Sequence, residues 1–180
     1  MRLLFVLMIL SLSGCSLFMP ANEDYGKRTF GAVWDDQVTE SRGMRVLREA
    51  SPELEHAHLG ITSFNGIVLL TGQVPSEEAK KTAGEKLAAL RNVKKVYNEL
   101  QIAGPISLLA RTNDSWLTAK VKTDLLADKR VSGNRIKVVT ENGVVYLMGL
   151  LTHNEAKLAV DVVRQVYGVQ KIVTAFQYID

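Results

Sequence analysis

The sequence predicts an α+β fold of two tandem modules, each ordered helix, strand, strand, helix, strand, with a small mixed sheet under two helices. Two observations predict it. The segment 64–102 repeats over 141–179 when one residue is omitted, which indicates a duplicated unit. In each copy, alternating apolar residues flank an Asn-Gly pair and then recur at helical spacing. The composition, 47% hydrophobic and 23% charged over 180 residues, leaves room for two small globular domains.

The N-terminus has the pattern of an export signal. A short basic start precedes the apolar run Leu3–Leu12, which is too short to span a bilayer. The following LSGC (12–15) resembles a bacterial lipobox, so we expect a signal peptide over 1–14 and fatty acylation, for example with palmitate, at Cys15. This residue is the only cysteine, and the alternative is an ordinary cysteine in a cytoplasmic protein. Ser16, where retained lipoproteins typically carry aspartate, favours the outer membrane.

The first module follows a predicted tether. Residues 15–34 show little periodicity, which predicts a lipidated N-terminus and a flexible connection. The module is expected over 35–103, with a leading helix near Asp36–Ala50 that Asp35-Asp36 can cap. Gly43 lies inside this helix and is expected to shorten or bend it.

Each module then contains a hairpin. The pairs Asn65-Gly66 and Asn142-Gly143 separate short apolar runs, which predicts type I′ turns because both residue types accept the positive φ angles required. A helix follows each hairpin, and the strands Lys95–Ile102 and Lys171–Ile179 close the units.

The second module is predicted over 112–180, after a linker at 104–111. Its leading helix is expected to begin with Asn113 or Asp114 as the cap, or with Ser115 instead, and to end near Ala127; all three residue types cap helices.

One side of this leading helix is not needed by the module's own core. At about 100° per residue, the core stripe takes every fourth residue: Leu117, Val121 and Leu125. The opposite arc is apolar with cations at its borders, and contains Trp116, Ala119, Thr123 and Leu126 between Lys120 and Lys122. Such an arc suits an anionic bilayer, where tryptophan lies among the headgroups and lysines reach the phosphates.

The first module provides a comparison for this arc. If Val46 is aligned with Val121, serines stand at the positions of Trp116 and Leu126. The fold alone then does not demand the Trp and Leu pair, which leaves two interpretations. The arc binds lipid, or it docks on the other module.

No residue pattern indicates catalysis, a cofactor or a metal. His56 and His58 would share one face of a strand, as two metal ligands could, but no carboxylate or cysteine partner is placed by a motif, which favours a solvated loop or strand edge. No nucleophile triad or phosphate-binding loop is present, so we expect no enzyme activity. A net charge of +3 is too small to favour nucleic acid as a partner.

Several stretches resemble the BON domain, a family of bacterial envelope modules. They are RTFGAVWDDQ, VYNELQ, NDSWLTAKVKTDLL, VVTENGVVYLMGLLT and VTAF. Two such modules behind a lipobox resemble the dual BON-domain lipoproteins of the outer membrane. The resemblance implies that the leading helix of the second module contacts anionic phospholipid such as phosphatidylglycerol, through Trp116, Lys120, Thr123 and Leu126. Our helical projection adds Ala119 and Lys122.

Together these features predict a non-catalytic lipoprotein on the periplasmic face of the outer membrane. The resemblance implies enrichment at the division site and a role in outer-membrane integrity. The alternative is a periplasmic scaffold that regulates peptidoglycan hydrolase activation or outer-membrane protein assembly, with periplasmic proteins as its partners.

Overall fold

The computed structural model describes residues 26–104 and 107–180, except for the side chain of Leu108. The predicted signal peptide and Cys15 lie outside these residues. The first module consists of seven elements, which are α1 (Phe30–Ala50), α2 (Pro52–His56), β1 (His58–Phe64), β2 (Ile67–Val74), α3 (Glu77–Ala88), β3 (Lys95–Asn98) and β4 (Gln101–Ile102).

The second module repeats this order without the short α2 helix. Its elements are α4 (Leu108–Ala127), a 3-10 turn (Gly133–Arg135), β5 (Ile136–Glu141), β6 (Val144–Leu151), α5 (His153–Arg164) and β7 (Lys171–Tyr178). In both sheets the hairpin strands are antiparallel and the last strand runs parallel to the second. The predicted α+β class, with small mixed sheets, is confirmed.

The hairpin turns have the predicted backbone. Asn65 and Gly66 have φ angles of 52° and 80°, and Asn142 and Gly143 have φ angles of 49° and 74°. Two consecutive positive φ angles define the type I′ turn, whose twist matches that of the flanking strands. This local signal therefore fixes the strand register of each module.

Each sheet buries one face under the helices of its own module. In the first module, Val68, Leu70 and Val74 of β2 pack with Leu47 and Leu87 of the helices. The second module packs in the same way, with a core that includes Leu117, Val121, Leu125, Val145, Leu147 and Val163.

The other faces of the two sheets pack on each other. Phe64, Ile67 and Leu69 of the first module form one apolar cluster with Tyr146, Met148 and Ala175 of the second. As a result, every residue of β2 is buried. Burial on both sides explains why the first half of this strand, residues 67–70, reads as a continuous apolar run rather than an alternating one.

Polar contacts show that the modules are related by an approximate two-fold axis. Asn65 donates from Nδ2 to Gln177 Oε1 at 2.6 Å, and Asn142 donates from Nδ2 to Gln101 Oε1 at 3.3 Å. The strand registers make Gln101 and Gln177 equivalent, because they pair with Gln73 and Leu150 at matching positions of β2 and β6. The duplicated modules thus pack like the two subunits of a symmetric dimer.

Both leading helices begin earlier than predicted. Thr29 caps α1 by accepting the Ala32 amide at 3.1 Å, and Ser107 caps α4 by accepting the Ala110 amide at 3.2 Å. Residues 30–34, predicted to belong to the tether, are therefore helical. The predicted caps of α4 lie inside the helix instead, because a serine upstream already satisfies its first amides.

The expectation of a short first helix, based on Gly43, is wrong. The helix α1 runs for 21 residues. Gly43 is buried at a close approach, because a β-carbon there would lie 2.8 Å from Leu87 Cδ2 and 3.1 Å from Ile61 Cδ1. The glycine thus lets α1 lie close to both α3 and β1.

Candidate functional site

The orientation of α4 is set by a carboxylate. Asp114 accepts the backbone amides of Asn142 at 2.7 Å and Gly143 at 2.9 Å, so it ties the helix to the hairpin turn. Asp36 makes the equivalent bonds to Asn65 at 2.8 Å and Gly66 at 3.0 Å. Each predicted capping aspartate therefore stabilises a turn about 30 residues away instead of its own helix.

This orientation leaves the predicted arc in solvent. Leu117, Val121 and Leu125 are fully buried, whereas Trp116 is 52% exposed and Leu126 is 63% exposed. The structure places all six predicted residues on the exposed side of the helix, namely Trp116, Ala119, Lys120, Lys122, Thr123 and Leu126.

The early start of α4 adds a residue that the sequence reasoning missed. Leu109 is 80% exposed and lies seven residues, or about two turns, before Trp116 on nearly the same line of the helix. Leu109 falls in the predicted linker at 104–111, although Ser107 followed by apolar residues is a helix-start signal. We call Leu109 and the six predicted residues the α4 face. It extends for about 25 Å along the helix.

Two intrahelical contacts lower the polarity of the α4 face. Lys120 Nζ lies 3.0 and 3.2 Å from the carboxylate oxygens of Asp124, and the Thr123 hydroxyl donates to the Ala119 carbonyl at 2.9 Å. Lys122 forms no ion pair with any residue that the structure describes. Its charge is therefore the more available of the two to an anionic ligand.

The first module does not cover the α4 face. Because the modules meet through their sheets, the helices of each module lie on the outer sides of the pair. The interpretation that this face docks on the other module is wrong for this arrangement. Among the residues that the structure describes, the exposed apolar side chains of the α4 face are therefore not covered by the first module.

The structure also corrects the comparison between the two leading helices. Asp36 and Asp114 are equivalent, and aligning them shifts the two helices by three residues relative to the predicted alignment. The buried residues of α1 then fall on the buried residues of α4. Trp116 then corresponds to Val38 and Leu126 to Arg48, instead of to two serines. The conclusion that the first copy lacks the Trp and Leu pair therefore still holds.

The two histidines do not share a strand. His56 ends α2 and His58 begins β1, where its Nε2 lies 3.8 Å from Glu141 Oε1. Among residues 26–104 and 107–180, no group of three or more His, Cys, Asp or Glu side chains is arranged to hold a metal ion.

Comparison with known proteins places this architecture in a family. The BON domain matches residues 35–104 and 113–180. The chain belongs to the BON domain family. Its two BON domains are the two modules described above, and the α4 face lies on the second BON domain.

Two curated relatives narrow the assignment. The chain is 36% identical over 153 residues to the outer membrane lipoprotein DolP of Haemophilus influenzae, which covers 85% of the chain and 79% of that protein. It is also 36% identical over 152 residues to a 21 kDa hemolysin of Actinobacillus pleuropneumoniae, covering 84% of the chain and 78% of that protein. The chain is thus a dual BON-domain protein of the DolP family, an outer-membrane lipoprotein.

One solved structure is also similar. It is the C-terminal domain of CdsD, a structural protein of the type III secretion system of Chlamydia trachomatis. The alignment covers 76% of the chain and 96% of that domain, with a TM-score of 0.33 and 13% identity. This similarity adds nothing to the family assignment. In the part of the chain that the structure describes, no helix is long and apolar enough to cross a membrane.

Proposed function

We propose that this protein is a non-catalytic lipoprotein, anchored through Cys15, whose second BON domain binds anionic phospholipids such as phosphatidylglycerol through the α4 face. This binding would concentrate the protein at the division site, where it would maintain outer-membrane integrity. One observation carries the proposal. Trp116 and Leu126 stand exposed on a face that neither the core of the second BON domain nor its contact with the first one uses.

The chemistry of the α4 face fits a bilayer interface. A tryptophan ring lies favourably among headgroups, leucines reach the acyl boundary, and lysines extend to phosphates. Burying a leucine-sized side chain contributes about 1.5–3 kcal/mol, and each lysine near an anionic surface about 1 kcal/mol. Lys120 contributes less because Asp124 already balances it. Binding should therefore be weak and reversible, and the anchor makes it effective by holding α4 near the membrane.

Vesicle binding of residues 16–180 tests the proposal. We expect binding to vesicles rich in phosphatidylglycerol, weaker binding to phosphatidylcholine, and a decrease as salt rises. Replacing Trp116 with glutamate should weaken binding about 10-fold or more, because it removes an apolar contact worth about 1.5–3 kcal/mol and adds a repelled charge.

The duplication supplies a matched control. Ala119→Glu and Ser41→Glu place the same charge at equivalent exposed positions of α4 and α1. Only Ala119→Glu should weaken binding. Equal effects of the two substitutions, or full binding by Trp116→Glu, would contradict a lipid-binding α4 face and would favour the alternative, a scaffold for periplasmic proteins.

A further inference from the structure

A second exposed apolar cluster lies at the start of α1. Phe30 is 85% exposed, Val33 is 43% exposed and Trp34 is 65% exposed. Their spacing of three and four residues puts them on one side of the first helical turns. We call these three residues the α1 cluster.

The fold does not require the α1 cluster. The N-caps Thr29 and Ser107 are equivalent, so Val33 and Trp34 correspond to Arg111 and Thr112 of the second BON domain. The buried positions of α1 begin only at Asp36. Polar residues thus serve at two of the three positions in the other copy.

The cluster is held in a fixed place on the first BON domain. Arg28, just before α1, pairs with Asp36 at 2.7 Å, and its guanidinium lies 4.0 Å from the ring centre of Phe64. These contacts join the segment ahead of the helix to the core, so the α1 cluster is presented by an ordered helix start.

Contacts also place the cluster at the end of the molecule where α4 ends. Gly26 lies against Arg135 of the 3-10 turn, and Gly133 of the same turn lies against the Leu125 carbonyl in the last turn of α4. The α1 cluster and the Leu126 end of the α4 face therefore belong to the same end of the domain pair.

The chain itself limits the distance between this cluster and a lipid anchor. Fourteen residues lie between Cys15 and Phe30, and a segment of this length spans at most about 50 Å when fully extended. An acylated Cys15 would therefore keep the α1 cluster within about 50 Å of the membrane surface.

We propose that the α1 cluster is a second membrane contact, which inserts Phe30, Val33 and Trp34 into the headgroup and acyl boundary of the bilayer that holds the anchor. The inference rests on the lipidation at Cys15 given under the proposed function, but it does not depend on the α4 face. The occupant is a lipid surface because the side chains are apolar and aromatic, the favoured types at that boundary, and because the anchor supplies a membrane within reach.

The two tryptophans of the chain allow a direct test, since one lies in each proposed contact. Trp116→Phe leaves Trp34 as the only reporter of the α1 cluster, and Trp34→Phe leaves Trp116 as the only reporter of the α4 face. The lipidated full chain would be reconstituted into vesicles of phosphatidylethanolamine and phosphatidylglycerol, with and without brominated acyl chains. We expect the brominated lipids to lower Trp34 emission by about half, as for a ring at the acyl boundary.

Phe30→Asp in the Trp116→Phe background separates insertion from mere proximity. Phe30 is exposed and begins the helix, where an acidic residue is favourable, so the fold should be kept. The charge should abolish most of the Trp34 quenching while the chain stays in the vesicle fraction.

Three results would overturn the inference. They are no quenching of Trp34 in the vesicle-bound chain, quenching that Phe30→Asp leaves intact, and a lipid-independent emission shift that grows with protein concentration, which would assign the cluster to a second copy. Failure of the proposed function would appear separately, as unquenched Trp116 in the Trp34→Phe chain.

Discussion

Replacing Asp36 with alanine should destabilise the first BON domain by about 3 kcal/mol. The carboxylate accepts hydrogen bonds from the amides of Asn65 and Gly66, the Ser63 hydroxyl and the Arg28 guanidinium. Arg28 can turn to water and the hydroxyl can rotate, but the two turn amides cannot move. Each amide left unsatisfied costs about 1–3 kcal/mol, and we take the lower half of that range because both bonds are only partly buried.

Urea unfolding followed by circular dichroism at pH 7 measures this loss. The matched control is Asp35→Ala, which removes the neighbouring exposed carboxylate and should change stability by less than about 0.5 kcal/mol. Asp114→Ala leaves the equivalent pair of amides without a hydrogen-bond acceptor. The free energy of unfolding of the second BON domain should therefore fall by about the same amount. The reasoning is refuted if Asp36→Ala and Asp35→Ala unfold at the same urea concentration.

The same carboxylate makes stability depend on acid. Burial alone would raise the pKa of Asp36, but hydrogen bonds from Gly66, Ser63, Asn65 and Arg28 outweigh it and lower the pKa below 3.8. A folded-state pKa below the unfolded one contributes stability that is present above the unfolded value and is lost as pH falls through the folded value. In the natural chain, the urea concentration at the unfolding midpoint should therefore decrease as the pH is lowered below about 4. In Asp36→Asn this decrease should be less steep. Parallel pH profiles would contradict this assignment.

Three further substitutions test the local structure, again by urea unfolding. Gly72 and Gly149 occupy equivalent positions of β2 and β6. Gly72→Ala should lower the free energy of unfolding by about 3 kcal/mol or more, because Gly72 has a φ of 122° and a β-carbon would lie 1.9 Å from the His58 carbonyl oxygen. Gly149→Ala meets its nearest atom only at 3.1 Å, so a loss as large as that of Gly72→Ala would count against the steric argument. Thr152→Ala should cost about 1 kcal/mol by removing the capping box with Glu155, and an unchanged midpoint would show that the box contributes nothing.

The turns and the fold class were predictable because their signals are local. Asn65-Gly66 and Asn142-Gly143 specify their own backbone angles, and this fixes the hairpins on which both sheets depend. All residues of the α4 face except Leu109 were likewise predictable from helical spacing, because Leu117, Val121 and Leu125 determine which side of the helix is buried.

The helix starts were not predictable from capping preference alone. An aspartate near a helix start can cap that helix or reach a distant amide, and only the tertiary fold decides between them. In both copies the distant amides prevail, at Asp36 and Asp114. Thr29 and Ser107 then act as the caps, and the earlier starts expose Leu109 on the α4 face.

The packing of the two sheets on each other is visible in the sequence of β2, which does not alternate between apolar and polar residues. β2 reads IVLLTGQV, whose first four residues are apolar at successive positions and therefore suit a strand that is buried on both faces. The sheet that covers the second face is determined by packing between residues far apart in the sequence, such as Leu69 with Tyr146 and Met148. That pairing cannot be read from one strand.

The most direct test of the central claim is an amide chemical-shift map of residues 16–180 titrated with phosphatidylglycerol micelles. We predict shifts concentrated along α4, from Leu109 through Trp116 to Leu126, with much smaller shifts in zwitterionic micelles and in the buried sheet interface. A titration that leaves α4 unchanged, or that shifts it equally in both lipids, would contradict an anionic phospholipid site on the second BON domain.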